Sequence, residues 1–271
     1  MKLKNLTKWG VMVVALAFSG CQEDQEVVQQ SDIAKETLDK IYQMGFGTKE
    51  VQRVDNGYLV EGDIFLTEAA LNDQHDPRFL RVGETEQYRT NSLVTPGASS
   101  VNPRVITVSV SSRLPASYKN GTQVAIDRYN AENLLIKFLL VSSGGNIVLE
   151  KANGSYLASA GFPTGGNPYG SVKVNSRAIG DGNTATFYNY VGTIIAHEMG
   201  HCIGFRHTDY MDRSYSCGGS TANEGASTVG AVQIPGTPAA ADPNSWMLAC
   251  IGSGQSRPFN NNDKTALNYL Y

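Results

Sequence analysis

The chain has 271 residues, 41% of them hydrophobic and 17% charged, enough to bury a core in one or two domains and too apolar to be disordered throughout. Its formal net charge is −3, from 22 basic and 25 acidic residues. No basic block stands out, which argues against a nucleic-acid partner.

At the start of the chain, Lys2, Lys4 and Lys8 precede an apolar run from Trp9 to Phe18. The run is too short for a stable membrane span and has the shape of a secretory signal. It ends in Phe18-Ser19-Gly20-Cys21, which resembles the lipobox of bacterial lipoproteins. That resemblance implies removal of residues 1–20 and a lipid on Cys21; an ordinary signal peptide containing a cysteine is the alternative. The acidic tether Gln22-Glu23-Asp24-Gln25-Glu26 resembles the surface-export signal of some Gram-negative lipoproteins. Without residues 1–20 the chain keeps 19 basic and 25 acidic residues, net −6. The expectation is an exported protein held by its lipid at the cell envelope or surface, on a Gram-negative outer membrane, or released after processing.

Residues 31–44 place Ile33, Leu38, Ile41 and Tyr42 at helical spacing, with Ser31 or Asp32 as N-cap and Gly45 as stop. After an Asn56-Gly57 turn, residues 58–66 read as one short strand. Within it, Val60-Glu61-Gly62-Asp63-Ile64 resembles the F-E-G-D-I segment in the pro-regions of astacins, a branch of the metzincin zinc peptidases. The resemblance implies that Asp63 occupies the metal's water position and holds the enzyme latent, since a carboxylate oxygen is an acceptable zinc ligand. Val60 departs from it, because the pattern has an aromatic residue there, and a plain hairpin turn is the other reading. Residues 84–103 are polar with two prolines, which marks a cleavable linker with Arg89 as one cleavage point.

Residues 104–110 alternate as a strand, 117–135 carry an imperfect helical stripe, 136–141 form a buried strand and 146–150 a further short one. Strand, helix, strand in this order predicts a mainly parallel sheet. The glycine-rich stretch 154–180 leads into the alternating residues 171–175. It looks like the upper edge strand of a metzincin cleft, where substrate adds as an extended strand, or like a surface hairpin. Asp181-Gly182-Asn183 offers oxygen ligands to calcium, although such a tripeptide is more often a turn.

Residues 186–203 are predicted to form a helix capped by Asn183 or Thr184, and residues 197–209 read HEMGHCIGFRHTD. His197 and His201, four apart on a helix, project from one face and can share a metal ion. Gly204 permits the turn that brings in His207. Three imidazoles with a fourth position left to water describe a catalytic zinc site, and Glu198 beside the first of them is placed as general base. This is the H-E-x-x-H-x-x-G-x-x-H pattern of metzincins, and its form is similar to the dual-action HEIGH metallopeptidases. The resemblance extends to Ser245-x-Met247, similar to the Met-turn beneath the zinc histidines, and to a closing helix over residues 259–271. Ala249 stands where astacins and serralysins place a tyrosine, so that role is not carried over. Asp209 is placed to orient His207 or to cap the turn. The polar loop 210–245 would wall one side of the cleft.

Of the 4 cysteines, assigning Cys21 to lipid leaves three in an oxidising compartment, where one disulfide and one thiol is the simplest count. Cys202, on the zinc helix, reads as a core thiol. The favoured pair is Cys217 with Cys250, other connectivities staying open.

Together these readings predict a signal peptide over 1–20, a tether and pro-segment over 21–103, and an α+β, metzincin-like catalytic domain over 104–271. It combines a twisted mixed sheet, an active-site helix and a loop-rich C-terminal part. The expected activity is a monomeric, lipid-anchored zinc endopeptidase acting on extended protein or peptide substrates. The rival is a binding or adhesion lipoprotein on the same scaffold, which would not need Glu198.

Overall fold

The computed structural model describes residues 33–44, 46–72, 87–220, 231–238 and 241–271. The signal run, Cys21, the acidic tether, Ser31, Asp32 and Gly45 lie outside the described residues. Among those described, no helix is long and apolar enough to cross a membrane.

The N-terminal unit opens with α1 (Lys35–Gln43), which starts later than the sequence suggests, with Ala34 at its N-cap and no side-chain cap. A three-stranded antiparallel sheet follows, formed by β1 (Gln52–Val54), β2 (Gly57–Val60) and β3 (Ile64–Thr67), and then the short α2 (Glu68–Asn72). The single strand expected over residues 58–66 is thus two strands. Glu61 at φ +54° and Gly62 at φ +88° fold the chain into a tight turn that no extended residue could enter. Ile41, Phe46, Val51, Val60 and Ile64 close a small core of this unit.

The packed body of the chain takes in residues before 104. β4 (Tyr88–Arg89) pairs antiparallel with Val232–Gln233, and Gln87, Tyr88, Thr90 and Val94 are buried. Tyr88 O accepts from Arg206 N at 2.9 Å, and Thr90 N donates to Gly204 O at 2.8 Å. The expected linker is therefore part of the body from Gln87 on, stitched to the turn that carries the zinc motif. Arg89 lies inside this β pairing, and cleavage there would break it. Composition misled here because backbone hydrogen bonds, which any sequence can make, hold the segment.

The main sheet is formed by β5 (Arg104–Val110), β6 (Ile136–Val141), β7 (Ile147–Lys151), β8 (Ala158–Ser159) and β9 (Ser171–Val174), in the order β6-β5-β7-β9-β8. All neighbours are parallel except β8, which runs antiparallel to β9. Residues 171–175 read in sequence as the cleft edge or as a surface hairpin, and they pair antiparallel with β8. β9 lies one strand inside, and β8 is the edge. Between β5 and β6 runs α3 (Ser117–Asn130). It stops short of residue 135 because the Asn130 amide turns back to bond both N and O of Phe138 at 2.9 Å, and Asn133 takes φ +53°. Leu134 then serves the core rather than the helix.

After the short α4 (Ser176–Ile179) comes α5 (Ala185–Ile203), capped by Thr184, whose Oγ1 accepts from Phe187 N at 3.2 Å. Residues 190 to 203 of α5 are all buried. This helix packs against α3 and against β8 and β9 of the sheet, and Tyr129 OH donates to Ala196 O at 2.7 Å. The C-terminal part holds α6 (Ser214–Cys217), β10 (Val232–Gln233) and α7 (Asn261–Leu270). A disulfide joins Cys217 to Cys250, while Cys202 is a buried thiol.

Candidate active site

Thr184 starts α5 and Gly204, left-handed at φ +114°, ends it. The chain reverses there, and Phe205 and Arg206 carry it back so that His207 faces the same point as His197 and His201. The three ring centroids lie 4.7, 4.9 and 5.3 Å apart. His197 donates Nδ1–H to Trp246 O at 2.8 Å, and His201 donates Nδ1–H to Phe205 O at 2.9 Å. A carbonyl can only accept, so both rings are held as the tautomer whose Nε2 carries no proton. Those Nε2 atoms are 3.1 Å apart. Burial, and then the neighbouring His197 and His207, push His201 well below its usual range, which keeps the imidazole neutral.

Asp63, from the turn between β2 and β3, enters this cluster. Its Oδ2 lies 3.1 Å from His207 Nε2 and 3.4 Å from His197 Nε2. Burial raises its carboxyl, but its contacts with His207 and His197, and the nearby His201, outweigh burial and hold it well below the usual carboxylate range. The main chain follows the side chain: Phe65 N donates to Ala160 O at 2.9 Å and Ala160 N to Asp63 O at 3.0 Å. Residues 63–65 therefore occupy the exposed side of the sheet edge just beyond β8.

Three imidazole nitrogens and one carboxylate oxygen lie within 4.8 Å of one another. Neutral imidazoles with Nε2 turned inward and one hard anionic oxygen are a donor set suited to zinc. Asp63 Oδ1 has no hydrogen-bond partner, as expected of a carboxylate placed for something other than a protein donor. The residues present therefore fit the ion.

Glu198 sits beside this set, 2% exposed, and its Oε2 lacks a partner. Burial, and then the charge of Asp63, push its carboxyl well above the usual range. It is thus available to hold and release a proton at the metal site rather than being tied into an ion pair. Met247 lies beneath the histidines, fully buried. A Cβ at Gly200 would stand 2.5 Å from the Met247 sulfur, so the glycine inside the helix is the space into which the Met-turn packs. Ala249 contributes through its backbone, donating N–H to Asp209 Oδ1 at 3.0 Å. Asp209 also accepts from Ser216 Oγ, next to the disulfide. It thus ties the turn after His207 to the C-terminal part and does not orient the imidazole.

Sequence reasoning missed four features: the Trp246 and Phe205 carbonyls that set the tautomers, the packing of Phe162 edge-on to His201 at 5.6 Å, and the Glu61–Arg206 pair. Carbonyls leave no trace in side-chain patterns. Glu61 and Arg206 do stand inside the two motifs, and their opposite charges were the available signal. Asp181 and Asn183 accept from Ser117, Gly182 and Tyr188. Asp181 Oδ1 and Asn183 Oδ1 thus hold the turn to α3 and α5.

Asp263 supports the site from behind. It completes a capping box with Asn260 at the start of α7, and its carboxylate accepts from Gln87 Nε2 at 2.8 Å and Trp246 N at 3.2 Å. Burial pushes its carboxyl up to about 7, against the hydrogen bonds from Asn260, Ser245 and Trp246. A raised carboxyl favours the folded state most when protonated, so its contribution is complete below about 4 and is lost as pH rises through about 7. Asp263→Asn is expected to flatten that part of the stability profile, read as thermal midpoints between about pH 4 and 8; an unchanged slope would show that other groups set it.

A family model of dual-action HEIGH metallo-peptidases matches residues 58–271. The chain belongs to this family. Among solved structures, myroilysin aligns at 22% identity and a TM-score of 0.32, over 44% of this chain and 54% of that one. The chain thus spans about half the length of myroilysin. High choriolytic enzyme 1, a hatching enzyme zinc-protease from Oryzias latipes, aligns at 17% identity and a TM-score of 0.36, over 66% and 93%. No curated protein matches the chain.

Proposed function

We propose that the protein is an exported, lipid-anchored zinc endopeptidase made in a latent form. The observation that carries the latent form is Asp63 Oδ2, 3.1 Å from His207 Nε2 inside the histidine cluster. His197, His201 and His207 would hold zinc, which would supply the Lewis acidity for attack of water on a peptide carbonyl at neutral pH. Glu198 takes the proton from that water and hands it to the departing amine. The sheet edge at β8 and Ala160 holds an extended substrate through main-chain hydrogen bonds. While Asp63 stands among the imidazoles and residues 63–65 stand on that edge, neither water nor substrate has room. The N-terminal unit through residue 72, α1 included, is then a removable pro-segment, and cleavage between 73 and 86 frees the cleft without cutting β4. Export and the lipid on Cys21 rest on the sequence of residues 1–26 alone.

The test uses the full chain, folded as a whole, loaded with zinc and then cut by limited proteolysis within residues 73–86. The expected result is one zinc per chain, cleavage of internal peptide bonds in a protein substrate after cutting, and little before. A chain that binds no zinc, or that stays inert once the N-terminal fragment has left, would return the protein to the binding or adhesion class. Metabolic labelling with a palmitate analogue, lost in Cys21→Ala, checks the anchor.

A further inference from the structure

Arg206 precedes the metal-binding His207 and is completely buried. Its guanidinium carbon lies 4.9 Å from the centre of the Phe46 ring and 5.6 Å from that of Tyr210, and the Glu61 carboxylate closes the remaining side. Tyr210 belongs to the catalytic body, whereas Phe46 and Glu61 belong to the N-terminal unit. Burying a cation next to a site built for a dication is costly, and neither the ligand set nor Glu198 uses it.

The pair is also poorly matched for a purely structural bridge. Both Glu61 oxygens fall on one nitrogen, Nη2, at 2.8 and 2.9 Å, while Nε and Nη1 have no partner. A guanidinium engages a carboxylate best through two parallel N–H groups. Glu61 therefore occupies a carboxylate receptor without using its full capacity. Arg213 repeats the theme: its guanidinium lies against Gly62 and bonds Glu50 Oε2 at 3.0 Å. On a chain of net charge −3, these two basic groups of the body are met by acids of the N-terminal segment. The segment thus lies in the cleft as a ligand would, with a strand on the edge, one carboxylate at the metal and a second on Arg206.

We infer that Arg206 is the specificity residue of the mature peptidase, receiving an acidic side chain of the substrate close to the scissile bond, and that Glu61 is its stand-in in the latent chain. This rests on the pro-segment reading above and deepens it by naming the substrate class.

The test starts from the full chain carrying a site-specific protease site within residues 73–86, folded, zinc-loaded, cut and freed of its N-terminal fragment. The first readout needs no turnover: binding of a fluorescent peptide with the sequence of residues 55–67, beside its Glu61→Gln version. The acidic peptide should bind roughly tenfold tighter or more, the scale of a charge-assisted hydrogen bond. That gap should close in Arg206→Gln and partly persist in Arg206→Lys, which guards against misfolding of the first variant. The second readout is kcat/KM for peptide pairs differing only as Asp/Asn or Glu/Gln near the cleaved bond, with the acidic member favoured chiefly through KM. Equal binding and equal turnover of acidic and amide peptides by unaltered protein would overturn the inference while leaving the endopeptidase intact. A cut chain that holds zinc and cleaves nothing would instead refute the endopeptidase, and the difference in binding between the parent peptide and its Glu61→Gln version would then decide the receptor alone.

Discussion

Glu198→Gln in the cut, zinc-loaded chain is expected to keep its metal and to lose peptide cleavage by roughly 10²–10⁴-fold, the range associated with a positioned general acid–base group. This variant separates two roles that loss of a histidine would mix. His197, His201 and His207 supply the nitrogens, and Glu198 lies outside the set of groups placed to share the ion. Its neighbours give it no ion pair to lose, since Oε2 has no partner. Glutamine conserves volume and packing in this buried position, so the zinc content and thermal midpoint should stay close to those of the parent chain. What changes is the ability to take a proton. Unimpaired cleavage by the variant would remove Glu198 from the mechanism and point to another base.

Asp63→Ala in the uncut chain is expected to raise peptidase activity by roughly tenfold or more above the unaltered, uncut chain. Its carboxylate stands among the imidazole nitrogens, 3.1 Å from His207 Nε2, where it would share the ion they hold. A charge-assisted contact of this kind is worth about 1.5–3 kcal/mol, and about 1.4 kcal/mol is tenfold in a population. Release should be incomplete, because the Glu61–Arg206 pair, the bonds at Ala160 and the contact of Phe162 with the small N-terminal core all remain. Adding Glu61→Ala should open the cleft further, since removing one partner of a buried pair is destabilising by about 3–5 kcal/mol. The measurement is initial rate on a quenched peptide with cutting blocked by protease inhibitors that spare zinc enzymes. If neither variant exceeds the parent, residues 60–64 form a turn and nothing more.

Much of the site was legible because metal chemistry restricts residue types and spacing together. The i, i+4 histidines, the adjacent glutamate, the helix-ending Gly204 and the returning His207 form a pattern that few other functions require. The parallel sheet order was partly readable through β5, α3 and β6, whose apolar periods change at their boundaries. The choice between an edge strand and a hairpin at residues 171–175 was not legible, since β8, the edge, has only two residues and β9 carries the clearer alternation. Residues 87–90 read as linker for a related reason: they are held by main-chain bonds to residues 204, 206 and 232–234, and such bonds leave no compositional mark.

The amino-acid sequence by itself determined the histidine set, the glutamate beside it and the helix that carries them, because each depends on residue type and local spacing. Only the tertiary structure decided what stands opposite them. Asp63 and His207 are 144 residues apart, as Glu61 and Arg206 are 145. A hydrogen bond or ion pair is a contact between atoms a few ångströms apart, and chain distance says nothing of it until the turn at Glu61-Gly62 and the reversal at Gly204 bring the two motifs together.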